Sequence, residues 1–212
     1  AGVGTFVHVS AFGAVADAPA IYAQSKAAGE AAAKDIYPDA TIVRPSVVFG
    51  PEDEFFNRFG AMAQMFPALP LIGGGHTKFQ PVFVGDVAQT LVAAIEERTK
   101  TDAPYELGGP EVLSMRDVME RVLAYTMRSR PLIPLPFWLA KLQGAFLQWL
   151  PNPPLTIDQV RLLEDDNVVS EAAIQEGRTL HGLGIEPVPV ASVVPDYLEQ
   201  FRPRGQFSVY KA

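Results

Sequence analysis

Two short apolar stretches, Thr5-Phe6-Val7-His8-Val9 and Ala40-Thr41-Ile42-Val43, flank a segment from Tyr22 to Lys34 that is rich in Ala, Lys and Glu and therefore favours helix. Strand, helix and strand within roughly forty residues is the rhythm of a βαβ unit, which requires a parallel sheet covered by helices. The second stretch is mostly apolar, as in a strand covered on both faces. Tyr37-Pro38-Asp39 ends the helix, because proline lacks an amide hydrogen and disfavours helix in the residue before it. Within this unit Tyr22 and Lys26 lie on one side of the helix, one turn apart. An ammonium beside a phenol favours the phenolate, so the spacing predicts a lowered Tyr22 pKa and a proton donor and acceptor near neutral pH.

Further along, Phe55 to Phe66 reads as an amphipathic helix and Leu71-Ile72-Gly73-Gly74-Gly75 as a turn. Pro81-Val82-Phe83-Val84 reads as a short strand, followed by a helix to about Arg98 that Asp86 can cap. Tyr105-Glu106-Leu107-Gly108-Gly109 is a last short strand, and Ser114 can cap a helix to about Thr126. Beyond that the composition changes. Pro131, Pro134, Pro136, Pro151, Pro153 and Pro154 bracket a helix at 137–150, a further turn or two follows at 156–165, and a helix at 191–201 precedes an irregular, partly basic end.

At 212 residues and 48% apolar, the chain can bury a core sized for one domain, or one domain with a small lobe. A net charge of −7 argues against nucleic acid, whose phosphates need a basic face. Zero cysteines exclude a disulfide framework and thiolate metal sites. His8, His76 and His181 lie far apart without paired ligands, so no metal site is expected, and His8 is expected to point into the sheet packing. No apolar run reaches the roughly 18 residues of a spanning helix. The runs Glu52-Asp53-Glu54 and Glu164-Asp165-Asp166 read as solvated faces. In 137–150, Trp138, Leu139, Leu142, Phe146 and Trp149 recur at helical spacing, with two readings: core packing of a C-terminal lobe, or an interfacial segment lying on a bilayer or a membrane partner.

Five segments in order carry a resemblance. They are Val7-His8-Val9-Ser10, Tyr22-x-x-x-Lys26-x-x-Gly29-Glu30, Ile42-Val43-Arg44-Pro45-x-x-x-Phe49-Gly50-Pro51, Pro81 through Ala88, and Tyr105 through Gly109. Together they resemble the extended and atypical branches of the short-chain dehydrogenase/reductase superfamily. Phe79 through Ala88, Glu52 through Arg58, and Leu155 through Val169 are similar to one branch: the complex I accessory subunit, alpha-subcomplex subunit 9 of NADH:ubiquinone oxidoreductase, with its bacterial relatives. The resemblance implies an α/β fold, the C-terminal part of a Rossmann-type parallel sheet over 1–127, with a small mainly helical lobe over 128–212. It implies NADP(H) or NAD(H) as cofactor, with Tyr22 and Lys26 near the nicotinamide ribose and Pro45, Ser46 and Val48 beside the nicotinamide. Respiratory complex I subunits and a membrane surface are the implied partners, on the cytoplasmic or matrix side, peripheral to the inner membrane.

Two positions depart from the active pattern. Active extended members carry Ser or Thr where this chain has Ala11, a hydroxyl that polarises the substrate carbonyl. Ser10 is the neighbouring candidate, although successive strand residues point to opposite faces. Val47 stands where sugar-nucleotide enzymes of the branch carry an Asn that grips diphosphate. The glycine-rich dinucleotide fingerprint is absent from the chain, and Gly73-Gly74-Gly75 precedes a strand instead of a helix, so it reads as a turn. The expectation is that the first strands of a larger fold precede Ala1 and that the strand at 5–9 has an unpaired edge. Three functions follow. The first is a dinucleotide-binding accessory protein. The second is an active NAD(P)-dependent reductase, dehydrogenase or epimerase with Tyr22 as acid/base, Lys26 tuning it and Ser10 assisting. The third is an interaction module without cofactor.

Overall fold

A computed structural model describes residues 2–96, 98–99, 103–151, 153 and 155–205. Pro154 and the end of the basic tail, expected as loop, lie outside the described residues. The predicted βαβ unit is present: β1 (Val7–Val9) and β2 (Thr41–Pro45) are parallel, with α1 (Ile21–Ile36) between them. The Ala-rich composition of α1 has a packing cause. Ala23 and Ala33 are buried against the sheet, and a Cβ on Gly29 would stand 3.3 Å from Nε2 of His8. Small residues thus let the helix lie close to the sheet, and His8 points into that packing as expected.

The chain continues through β3 (Val48–Phe49), α2 (Phe56–Met65), β4 (Leu69–Ile72), β5 (Lys78–Phe79), β6 (Val82–Phe83) and α3 (Val84–Ile95). Then come β7 (Tyr105–Leu107), β8 (Leu113–Ser114), α4 (Met115–Tyr125), β9 (Leu132–Leu135), α5 (Phe137–Leu147), α6 (Ile157–Leu162), α7 (Glu171–Gln175) and α8 (Val194–Leu198). The main sheet is parallel in the order β1-β2-β7, so among the described residues β1 stands at an edge, with Phe6 and Val9 exposed. β3 pairs with β6 and β4 with β9, both parallel, and β5 pairs with β8 antiparallel. Two-residue strands are marginal by themselves. Phe49 and Val82 are wholly buried. At roughly 1.5–3 kcal/mol per buried side chain against about 1 kcal/mol net per hydrogen bond, apolar burial holds β3 on β6.

The C-terminal elements pack into the earlier chain. Phe49 and Phe56 share a core cluster with Val118 and Val122 of α4 and with Val194 and Leu198 of α8. Ser114 caps α4 as expected, in a reciprocal box with Asp117. The three glycines 73–75 make the expected turn, each with φ between 61° and 77°, a region that side-chain-bearing residues avoid. The helix expected at 191–201 is broken into a 3₁₀ turn, α8 and a second 3₁₀ turn.

Three expectations are corrected. Asp86 does not cap α3; it sits inside the first turn, fully buried, and its Oδ2 accepts the Val188 amide at 2.8 Å. Asp53 is no mere solvated charge. Its Oδ1 accepts the amides of Phe55 at 2.8 Å and Phe56 at 2.6 Å, so it caps α2, and its Oδ2 accepts the Tyr197 hydroxyl from the C-terminal lobe. Burial and the Asp53 carboxylate push the Tyr197 phenol pKa up. Finally, the aromatic stripe of α5 is not core. Ala140 and Gly144 are its buried residues, because Gly144 lies against the backbone of Thr156 and Ile157. Trp138 is 68% exposed, Phe146 73% and Trp149 84%, so the stripe faces outward.

Candidate functional site

Tyr22 sits in the first turn of α1, and nothing local caps that helix: the preceding residue is Ala20, which supplies no side-chain acceptor. The acceptor comes from 137 residues away. Asp158, in the first turn of α6, accepts the Ile21 amide on Oδ1 at 2.6 Å and the Tyr22 amide on Oδ2 at 3.0 Å. A carboxylate there satisfies two orphan donors and complements the positive helix end. The far side of α1 is tied to β2 by Glu30, which receives a two-pronged contact from Arg44 at 2.7 and 2.6 Å. That hydrogen-bonded contact, working against the cost of burial, raises the Arg44 pKa. The helix that carries Tyr22 is thus anchored at one end to the C-terminal lobe and further along to the sheet.

Lys26 does share a face with Tyr22, as the spacing predicts: its Nζ lies over the phenol ring, 5.6 Å from the centroid. The predicted pKa direction is wrong. Burial holds the Tyr22 hydroxyl above the usual phenol value. The ammonium meets the ring face, a cation–π contact worth roughly 0.5–1 kcal/mol. It does not offset the desolvation of the phenolate.

Tyr22, Ser10, Pro45, Ser46 and Val48 line one cavity of about 1100 Å³; Lys26 stands behind Tyr22 and does not line it. Ser10 ends the run of β1, its amide donating to the Val43 carbonyl at 2.8 Å. It is 3% exposed, and its Oγ has no partner among the described residues. A buried hydroxyl without a protein partner costs about 1–3 kcal/mol, which a bound water or a ligand group in the cavity would offset. Ala11 and Val47 line the same cavity and bring no polar side-chain atom. The Ser46 hydroxyl donates to Asn167, at 2.5 Å to Oδ1, and is therefore engaged within the protein. Asn167 is itself held by backbone pairing to Lys78 and Gln80. Sequence reasoning assigned no role to Asp158 or Asn167. Both lie in the segment 155–169 that carried the branch resemblance, and that was the available signal. Among the described residues there is no cluster of three metal-ligating side chains.

With this geometry established, similarity to known proteins becomes informative. Residues 10–108 match the family model described as the NAD dependent epimerase/dehydratase family, a span that starts at Ser10 and includes Tyr22, Lys26 and β7. The chain is 34% identical over 215 residues to the Arabidopsis thaliana protein named NADH dehydrogenase [ubiquinone] 1 alpha subcomplex subunit 9, mitochondrial. The match covers 96% of this chain and 52% of that relative. Over residues 10–108, just under half of its length, the chain is similar to the NAD dependent epimerase/dehydratase family. The Mus musculus protein of the same subunit name is 31% identical, over 90% of this chain and 50% of its own length. The chain thus spans about half the length of these curated relatives.

Among solved structures, Thermus thermophilus UDP-glucose 4-epimerase in complex with NAD superposes with a TM-score of 0.61 at 20% identity. The match covers 97% of this chain and 65% of that one, and it shows that this chain has a Rossmann-type α/β fold. Within this fold, the order β1, α1, β2 brings Ser10, Tyr22 and Pro45 to one cavity although they are spread over 36 positions of the sequence.

Proposed function

We propose that the chain is a nicotinamide-dinucleotide-binding accessory protein that associates with a respiratory NADH:quinone oxidoreductase. In this reading, bound NADP(H) or NAD(H) serves structure and assembly more than turnover. The observation that carries it is the buried, unpartnered Ser10 hydroxyl lining the same cavity as Tyr22, with Lys26 packed on the Tyr22 ring. Those residues fit the ribose end of a dinucleotide, since Ser10 and Tyr22 bring hydroxyls to the cavity wall and Lys26 stands behind the Tyr22 ring. Ser10, Tyr22 and Lys26 would hold the nicotinamide ribose; Pro45, Ser46 and Val48 would flank the nicotinamide. The bound group would supply hydride chemistry. This chain's own residues bind and orient it. The dinucleotide-binding domain is assigned residues 1–127 and the helical lobe residues 128–212, which meet through Asp158.

Ala11 argues for a structural role, because it leaves a developing alkoxide without one of its donors. The second reading is an active reductase, dehydrogenase or epimerase using Tyr22 and Lys26. One observation favours it: the acid/base pair is kept, with Tyr22 on the cavity wall.

The exposed Trp138, Leu142 and Phe146 on α5, with Trp149 just after it, support peripheral contact with a membrane surface, on the cytoplasmic or matrix side. No helix among the described residues is long and apolar enough to cross a membrane. The test is gentle purification of the full-length protein, release of bound nucleotide with acid, and exposure of the intact complex to a panel of carbonyl compounds. The accessory reading predicts near-stoichiometric dinucleotide that none of them oxidises. A preparation free of dinucleotide would overturn it, and steady oxidation that Tyr22→Phe abolishes would install the second reading.

A further inference from the structure

The cavity that holds Ser10 and Tyr22 has a second half that the dinucleotide reading does not use. Its wall is α2, through Phe55, Phe59, Met62 and Met65, faced by Leu147 of α5 and Leu155 before α6. These side chains offer no hydrogen bonds. Polar side chains such as Arg58, Gln143 and Arg161 line other parts of the cavity, but a sugar or a diphosphate laid on this apolar patch would lose its water without gaining partners from it. Met62 and Met65 are unbranched and polarizable, and such side chains adapt to flexible apolar ligands. A volume of about 1100 Å³ lies just above the usual range of about 300–1,000 Å³ for small-molecule sites. Leu147 reaches the cavity from the helix whose outer stripe, from Trp138 to Phe146, is exposed.

The geometry points to a hydrocarbon-chain amphiphile as the ligand of this half. Its chain lies along α2 and Leu147, and its oxygen-bearing head lies toward Gln143, which lines the same cavity one turn before Leu147 on α5. The inference goes beyond the dinucleotide reading and leaves Ser10 and Tyr22 to the dinucleotide. Each methylene buried should raise affinity roughly fourfold, until the chain fills the cavity.

The experiment uses the full-length protein and a fluorescent polyene fatty acid, displaced by saturated fatty acids of increasing length. Binding is expected to tighten stepwise with chain length and then level off. Met65→Asp is the main variant, because Met65 lines the cavity yet is 69% exposed, so the change is compatible with folding. It should weaken binding on the order of tenfold, as should Leu147→Asp, whereas Trp138→Ala should leave the affinity for free probe unchanged. Presenting the probe free in one arm and in phosphatidylcholine vesicles in the other distinguishes a soluble source from a bilayer source. Binding sensitive to Met65→Asp in either arm supports the inference. Absence of binding in both arms, independence of chain length, or displacement of the probe by UDP-glucose would overturn it. Dinucleotide content, measured on the same samples, reports separately on the proposed function: its loss with chain binding intact would count against that reading alone.

Discussion

Replacing Asp158 with Ala isolates the contact that holds the site's helix. The variant removes the acceptor for two amides, Ile21 at 2.6 Å and Tyr22 at 3.0 Å. No side chain at Ala20 replaces it. Loss of an N-cap acceptor costs about 1 kcal/mol, within 0.5–2. Loss of a carboxylate at a helix N-terminus adds about 0.3–1 kcal/mol at low salt. Because Ile21 and Tyr22 are largely exposed, water re-solvates the freed amides, and the sum stays near 1–1.5 kcal/mol. Asp158→Asn keeps one acceptor oxygen but turns an NH2 donor toward the other amide and removes the charge, so it should restore only part of the loss, and the charge part is salt-sensitive. Urea unfolding by circular dichroism, at low and high salt, measures both. The midpoint should fall without a change in slope, because the surface exposed on unfolding stays the same. An unchanged midpoint for Asp158→Ala, or a loss that Asn does not partly restore, would refute the capping argument.

Two further perturbations follow from the same geometry. Glu30→Gln leaves the Arg44 guanidinium with a neutral partner at a site where both side chains are mostly buried, and it should cost about 2 kcal/mol, below the 3–5 of a fully buried pair; a urea midpoint within experimental scatter of wild type would contradict this. Asp86 is buried with Oδ1 unpartnered, and burial raises its pKa above the usual 3.8. Its folded form therefore binds a proton more readily than its unfolded form, so its contribution is present below the unfolded pKa and is lost as pH rises through the folded one. The stability of wild type relative to Asp86→Asn should decline from about pH 4 toward neutrality, and a difference that stays flat over that range would refute the assignment.

What was legible in the sequence was local. The Ala-rich α1, the proline that ends it, the Ser114 cap and the glycine turn each depend on residues a few positions apart, and each is where the pattern puts it. Tyr22 and Lys26 share a face because helical spacing alone decides that. What stayed hidden depends on distant chain or on burial. Asp86 looks like a cap by type and position, but the helix starts earlier, and the tail brings the Val188 amide to it. Asp53 looks like one charge in an acidic run until α2 starts beside it. The outward face of α5 reverses the core reading because Ala140 and Gly144, the small residues, are the ones that pack. The Tyr22 pKa went the other way because desolvation, which no spacing encodes, outweighs an ammonium placed over the ring. Asp158 could not be assigned, since nothing in its neighbourhood points to a helix 137 residues earlier.

The central claim is that Ser10, Tyr22 and Lys26 form the ribose end of a dinucleotide site. The most direct measurement is the amount of nicotinamide dinucleotide released from the purified full-length protein and from its Lys26→Ala variant, with circular dichroism confirming that both are folded. The account predicts near one equivalent in the wild type and a loss of most of it in Lys26→Ala. Equal amounts in the two proteins, or none in either, would contradict it.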